Sequence, residues 1–202
     1  MPIRVKICGV TRPCDAQSAA ALGASAIGLV FVERSPRAVD IEQALSICRA
    51  LPPLVGVVGL FMDPEADFVR TIGDRVPLNW LQFHGDEPAT FCRSFNRPYI
   101  KALPMASPEK VDYDSWPDAG ALLLDAHSAG AMGGSGSTFD WTGVKPPRQP
   151  WILAGGLNPD NISTAIEALE PSAIDVSSGV ESAPGIKDDN LMTRLMKGIP
   201  HG

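Results

Sequence analysis

Three side chains in this sequence stand where an apolar run stops and could do chemistry. Cys8 ends the run Ile3-Arg4-Val5-Lys6-Ile7-Cys8, Asp125 ends Ala121-Leu122-Leu123-Leu124, and Arg37 follows Ser35-Pro36. A cysteine in such a place is either a small core hydrophobe or, as thiolate, a base or nucleophile. A carboxyl leaving a buried run is either paired or working. An arginine in a rigid turn is either a solvated surface charge or a fork for a carboxylate. Gly155 and Gly156, and further on Ser177, Ser178 and Gly179, bring small residues to two later loops. Their backbone amides can approach an anion closely, the second group at the start of a short helix whose dipole favours negative charge. The plain alternative is that these glycines only turn the chain. Asp175 reads as facing away from Ser177, a structural carboxylate. Gln82, His84 and Lys101 stand near the same mouth, but spacing alone gives them no chemistry.

Positioning such residues takes a scaffold, and the chain alternates strand and helix. Short, almost uniformly apolar runs occupy residues 3–8, 26–32, 54–60, 78–83, 99–103, 121–125, 151–154 and 173–177. That is the pattern of parallel strands buried on both faces. Their starts recur about every 21 to 30 residues, enough for one strand, one loop and one helix per unit. Helices are expected over 16–22, 41–51, 64–72, 87–95, 158–169 and 188–196. Asp63-Pro64 and Asn158-Pro159-Asp160 read as start signals. Helices after the fifth and sixth strands are weakly marked, and residues 127–138 read as a long glycine- and serine-rich loop, anchored by Asp140-Trp141.

The class is therefore α/β, and the expected fold is one (β/α)₈ barrel domain over residues 1–202, near the minimal length for that fold. An open doubly wound sheet is the alternative, although no G-x-G-x-x-G follows the first strand. In a barrel, chemistry sits at the C-terminal strand ends, and the loops after strands seven and eight often bind phosphate. Strands one and six lie on opposing sides, so Cys8 and Asp125 could meet across a small substrate as an acid–base couple.

Composition narrows the partners. The 202 residues carry 17 basic and 23 acidic side chains, a net charge of −6, which argues against a nucleic-acid or anionic-membrane binder. A small anionic ligand needs only a few local donors and stays open. No run approaches the roughly 18 apolar residues of a membrane span, and the N-terminus has no signal-peptide core. The four cysteines fit no zinc-ligand spacing and read as reduced thiols in a cytoplasmic protein, so no metal is expected. A thiol-redox role would need a resolving partner for Cys8, and Cys14 reads as a helix-start residue instead. Monomer and homodimer are both compatible.

An ordered set of motifs resembles the phosphoribosylanthranilate isomerase family of tryptophan biosynthesis. Lys6-Ile7-Cys8-Gly9-Val10-Thr11 is similar to its opening signature, and Gly28-Leu29-Val30-Phe31 with Ser35-Pro36-Arg37 to its second. Leu81-Gln82-Phe83-His84-Gly85 resembles the family's LQLHG, with Phe83 in place of leucine. Residues 122–126, Gly133-Gly134-Ser135-Gly136 and Phe139-Asp140-Trp141 resemble the sixth strand and its loop. Residues 153–158, 175–181 and Gly185-Ile186-Lys187-Asp188 resemble the phosphate half.

The resemblance implies a barrel and a cofactor-free Amadori rearrangement of N-(5-phosphoribosyl)anthranilate to 1-(2-carboxyphenylamino)-1-deoxyribulose 5-phosphate. It makes Cys8 the general base, Asp125 the general acid, and Arg37 the holder of the anthranilate carboxylate. Such a thiol needs a lowered pKa, expected from Lys6 or from loop amides. Two rivals remain. The related histidine-pathway isomerase is expected to carry an aspartate on strand one, where this chain has Cys8. A catalytically silent phosphate-binding barrel would keep the glycine loops and lose Cys8 or Asp125.

Overall fold

The computed structural model describes residues 3–105, 111–125 and 146–200. Eight parallel strands close a barrel in sequence order: β1 (Arg4–Cys8), β2 (Ala26–Val30), β3 (Gly56–Phe61), β4 (Trp80–Phe83), β5 (Tyr99–Pro104), β6 (Ala121–Asp125), β7 (Trp151–Ala154) and β8 (Ala173–Val176). Closure is made by β8 against β1, with Asp175 opposite Lys6 and Val176 opposite Ile7. The open-sheet alternative is thereby excluded.

Strand periodicity splits the apolar side chains into two layers. Val58, Ile100, Ala102, Leu123 and Ile152 fill the barrel, while neighbours such as Val57, Leu122 and Leu153 pack outward beneath the helices. Phe83 belongs to the outer layer and is fully buried. Its ring lies 5.8 Å from those of Phe91 and Phe95 and 6.2 Å from those of Phe61 and Tyr99. The departure from the LQLHG pattern is thus a matter of packing.

The outer layer holds α1 (Pro13–Ala21), α2 (Ile41–Ala50), α3 (Ala66–Arg75), α4 (Ala89–Arg93), α5 (Ile162–Leu169) and α6 (Asp189–Lys197). Only α2 and α6 have side-chain caps: Asp40 accepts from the Gln43 amide, and Asp188 from those of Asn190 and Leu191. Several expected boundaries move because their polar residues serve loops instead. Asp63 adopts a positive φ of 47° and accepts from the Asp86 amide, so α3 begins at Ala66 rather than Pro64. Asn158 accepts from Asp160 and donates to the Gly156 carbonyl, delaying α5 to Ile162. Leu54, expected to open β3, lies outside it with a positive φ of 72° and is fully exposed. Helix α1 starts earlier than expected, with Pro13 in its first turn.

Between β5 and β6 the described residues hold a single 3₁₀ turn, Tyr113–Ser115, and no α-helix. The loop expected over 127–138 and its Asp140-Trp141 anchor lie outside the described residues. An unexpected pair of short antiparallel strands follows β8: β9 (Glu181–Ala183) and β10 (Ile186–Lys187).

Candidate active site

A cavity opens at the C-terminal end of the barrel. It is lined by Cys8 from β1, Gln82 and His84 from the end of β4, Asp125 from β6, Asp175 from β8, Arg37 from the loop after β2, and the loops after β7 and β8. Cys8 and Asp125 therefore open into one space from different sides of the barrel. Residues of one strand two positions apart share a face, so Asp175 lines this cavity with Ser177. The expectation that it faces away is corrected.

Cys8 owes its inward place to its neighbour. Gly28 of β2 lies opposite Cys8, and a Cβ at Gly28 would stand 2.6 Å from the Cys8 sulfur. Lys6, two residues earlier, donates from Nζ to Asp175 Oδ2 at 2.8 Å. The expected lowering of the thiol pKa is not found. Burial raises it, Asp175 adds to that, and Lys6 and Lys187 offset only part. At rest the thiol keeps its proton. Cys8 is buried at the end of β1, whereas Cys14 is exposed in the first turn of α1.

Asp125 Oδ2 lies 3.1 Å from His84 Nε2, and His84 Nδ1 lies 3.3 Å from Gln82 Nε2. The three side chains thus form a chain from Gln82 through His84 to Asp125, with Nε2 of the ring facing the carboxylate. The sequence put Gln82 and His84 near this mouth but gave them no chemistry, and both line the cavity. Their signal was position: both stand at the end of β4, two residues apart. Lys101, expected at the same mouth, is instead buried away from the cavity. It pairs with Glu87 Oε2 at 2.9 Å and donates to the Gly85 carbonyl, bracing the loop that carries His84.

Arg37 is buried, not a solvated surface residue. Its Nε and Nη2 fork onto Glu181 at 2.9 and 2.6 Å. Glu181 also accepts from Lys187 Nζ at 2.7 Å, and Lys187 reaches the Ser177 carbonyl at 3.2 Å. Burial works to raise the Glu181 carboxyl, but Arg37 and Lys187 outweigh it and hold the group below the ordinary carboxylate range. Burial and Arg37 leave the Lys187 ammonium below its usual value despite Glu181. Both partners come from the β9–β10 pair, and the Arg37–Glu181 contact spans 144 residues, so no local pattern pointed to it. Gly9 makes room for the arrangement. Its φ is +72°, and a Cβ there would lie 2.5 Å from Arg37 Cδ.

The two small-residue loops meet at the cavity. Gly155 and Gly156 have φ of 88° and 67°, and together with Ser177 and Ser178 they line it. Gly179 is not in the lining. It lies against the loop after β7, where a Cβ would stand 1.9 Å from the Leu157 carbonyl oxygen.

The model of the N-(5'-phosphoribosyl)anthranilate (PRA) isomerase family matches residues 5–198. The chain belongs to this family. An N-(5'-phosphoribosyl)anthranilate isomerase of Neisseria meningitidis serogroup C is 51% identical over 92% of this chain and 91% of its own. The PRA isomerase structure from Thermotoga maritima superposes with a TM-score of 0.89 at 39% identity, covering 98% of both chains. A second family structure, with a TM-score of 0.85 at 37% identity and 98% coverage of both chains, is a complex with reduced 1-(o-carboxyphenylamino)-1-deoxyribulose 5-phosphate. PRA isomerases are thus matched over nearly the whole barrel, and no described helix here is long and apolar enough to cross a membrane.

Proposed function

We propose that this chain catalyses the PRA isomerase reaction of tryptophan biosynthesis, in the cytoplasm, with Cys8 as general base and Asp125 as general acid. The observation that carries the reading is that both groups open into one cavity which also holds Arg37 and the two glycine loops. The substrate has a matching layout: a phosphate at one end, an aromatic carboxylate at the other, and the reacting carbons between.

Gly155, Gly156, Ser177 and Ser178 offer the phosphate amides at the two loop ends, and Gly179 lets those loops pack against each other. Arg37 holds the anthranilate carboxylate. Glu181 occupies its Nε edge, so the guanidinium hydrogens not used by Glu181 face the ligand. Asp125 donates its proton to the furanose ring oxygen while the anilino nitrogen lone pair forms the C1=N bond, and the C1–O bond breaks. The protonated Schiff base acidifies C2. Cys8, as thiolate, removes the C2 proton, and that electron pair forms C1=C2 as the C=N pair returns to nitrogen. The enolamine then tautomerises to the ketone.

The protonation states follow from the site. A substrate with two anionic groups favours a neutral, proton-bearing Asp125. The cationic Schiff base favours the Cys8 thiolate just when it is needed. The test is a coupled assay in which a phosphoribosyltransferase makes the substrate from anthranilate and phosphoribosyl pyrophosphate and the decay of its fluorescence is followed. Cys8→Ala and Asp125→Ala each lower kcat by about 10²–10⁴-fold with a modest change in KM. Near-normal turnover in either variant removes that residue from the mechanism.

A further inference from the structure

The charges nearest the Cys8 thiol have an arrangement that the proton transfers above do not use. Lys6 and Cys8 are two residues apart on β1 and share its inner face. On one side, Gly28 leaves room for both: a Cβ there would lie 2.6 Å from Cys8 Sγ and 3.1 Å from Lys6 Cε. On the other side, β8 sets Asp175 in register with Lys6, and their ion pair closes at 2.8 Å. Both side chains are more than nine-tenths buried. Asp175 Oδ1 is buried too and has no partner among the described residues. A buried ion pair costs several kcal/mol of desolvation and is often replaceable by apolar residues of the same volume. This one sits beside a thiol that opens to the cavity.

We propose that Lys6 and Asp175 are positioning residues whose ion pair sets whether the Cys8 thiol carries its proton. The Lys6 ammonium stabilises the thiolate, and Asp175 competes with the thiolate for that ammonium. The reading of Cys8 as the base enters only in the catalytic consequence. Burial works against the Lys6 charge, but Asp175 and Cys8 more than offset it, so Lys6 stays protonated. Lys187 is the other cation acting on the thiol, and it is largely committed to Glu181, as is Arg37. His84 and Asp125 face the same cavity from β4 and β6, paired with each other.

The two halves of the pair therefore act on Cys8 with opposite sign. Removing Lys6 takes away the thiolate's counter-charge. Removing the Asp175 charge takes away a repulsion and frees Lys6 for the sulfur. The experiment is the rate of iodoacetamide alkylation at Cys8 against pH, read by peptide mass, in the intact protein. Lys6→Met moves the midpoint up and Asp175→Asn moves it down, each by about one pH unit or more. A shift of the same sign in both, or none in Asp175→Asn, overturns the proposal. Asp175→Asn keeps the side chain's shape, so it decides the sign even where Lys6→Met does not fold. The rising limb of kcat/KM follows the same midpoints. Opposed alkylation shifts with an unmoved kcat/KM uphold the ion pair's hold on the thiol and instead remove Cys8 from the reaction.

Discussion

At the scale of single residues, the chain from Gln82 through His84 to Asp125 is the part of the site most open to a clean test. Gln82 lies against His84 Nδ1, and His84 Nε2 faces the carboxylate. That contact helps to orient Asp125 toward the cavity. His84→Ala is expected to lower kcat about 10–100-fold while leaving KM within a few-fold, since no binding contact is assigned to it. Steady-state rates separate the two parameters, and a change confined to KM would make His84 a binding residue instead. Arg37→Lys has the opposite signature. It keeps the charge but loses the fork, so KM rises about tenfold or more while kcat falls less. At this scale the sequence displayed Cys8, Asp125 and Arg37 because each ends or follows an apolar run. It hid Glu181, whose partner Arg37 lies 144 residues away, and with it Lys187, which joins the cluster through Glu181.

At the scale of elements, helix starts were harder to read than strands. A buried strand announces itself by uninterrupted apolar residues, and every barrel strand falls within a residue or two of its expected range. A helix start is announced by a polar side chain, and a polar side chain can be used elsewhere. Asp63 looks like a cap and residue 87 like the first of a helix, yet Glu87 accepts from the Asp63 and Gly85 amides and from Lys101. This cluster ties the loops after β3 and β4 to β5. Glu87→Ala leaves Lys101 buried without its counter-charge and is expected to cost about 3–5 kcal/mol, read from urea unfolding. A loss below about 1 kcal/mol would show that the cluster is replaceable. Gly179 is the equivalent test for the two loops proposed to hold phosphate. A methyl group there meets the Leu157 carbonyl, which is backbone and cannot rotate away. Gly179→Ala must therefore push the two loops apart, and competitive inhibition by inorganic phosphate weakens about tenfold or more. Unchanged inhibition would place the anion elsewhere.

At the scale of the whole molecule, barrel closure brings residue 37 and residues 181–187 into one buried charge cluster, and this gives the fold a pH dependence with a definite sign. The Glu181 carboxyl is held below its ordinary range, chiefly by Arg37 and Lys187 working against burial. Its contribution to stability is thus complete above the unfolded-state value, about pH 4 to 5 for a glutamate. It is lost as pH falls through the lower folded value, when the protonated group releases both cations. Glu181→Gln never has that contribution. The variant is less stable than the parent at pH 7, and the gap narrows on acidification toward about pH 3. Thermal unfolding of both proteins across that range measures the gap directly. A gap that stays constant with pH would mean that Glu181 acts through shape and hydrogen bonding alone, and that its charge does not hold the two ends of the barrel mouth together.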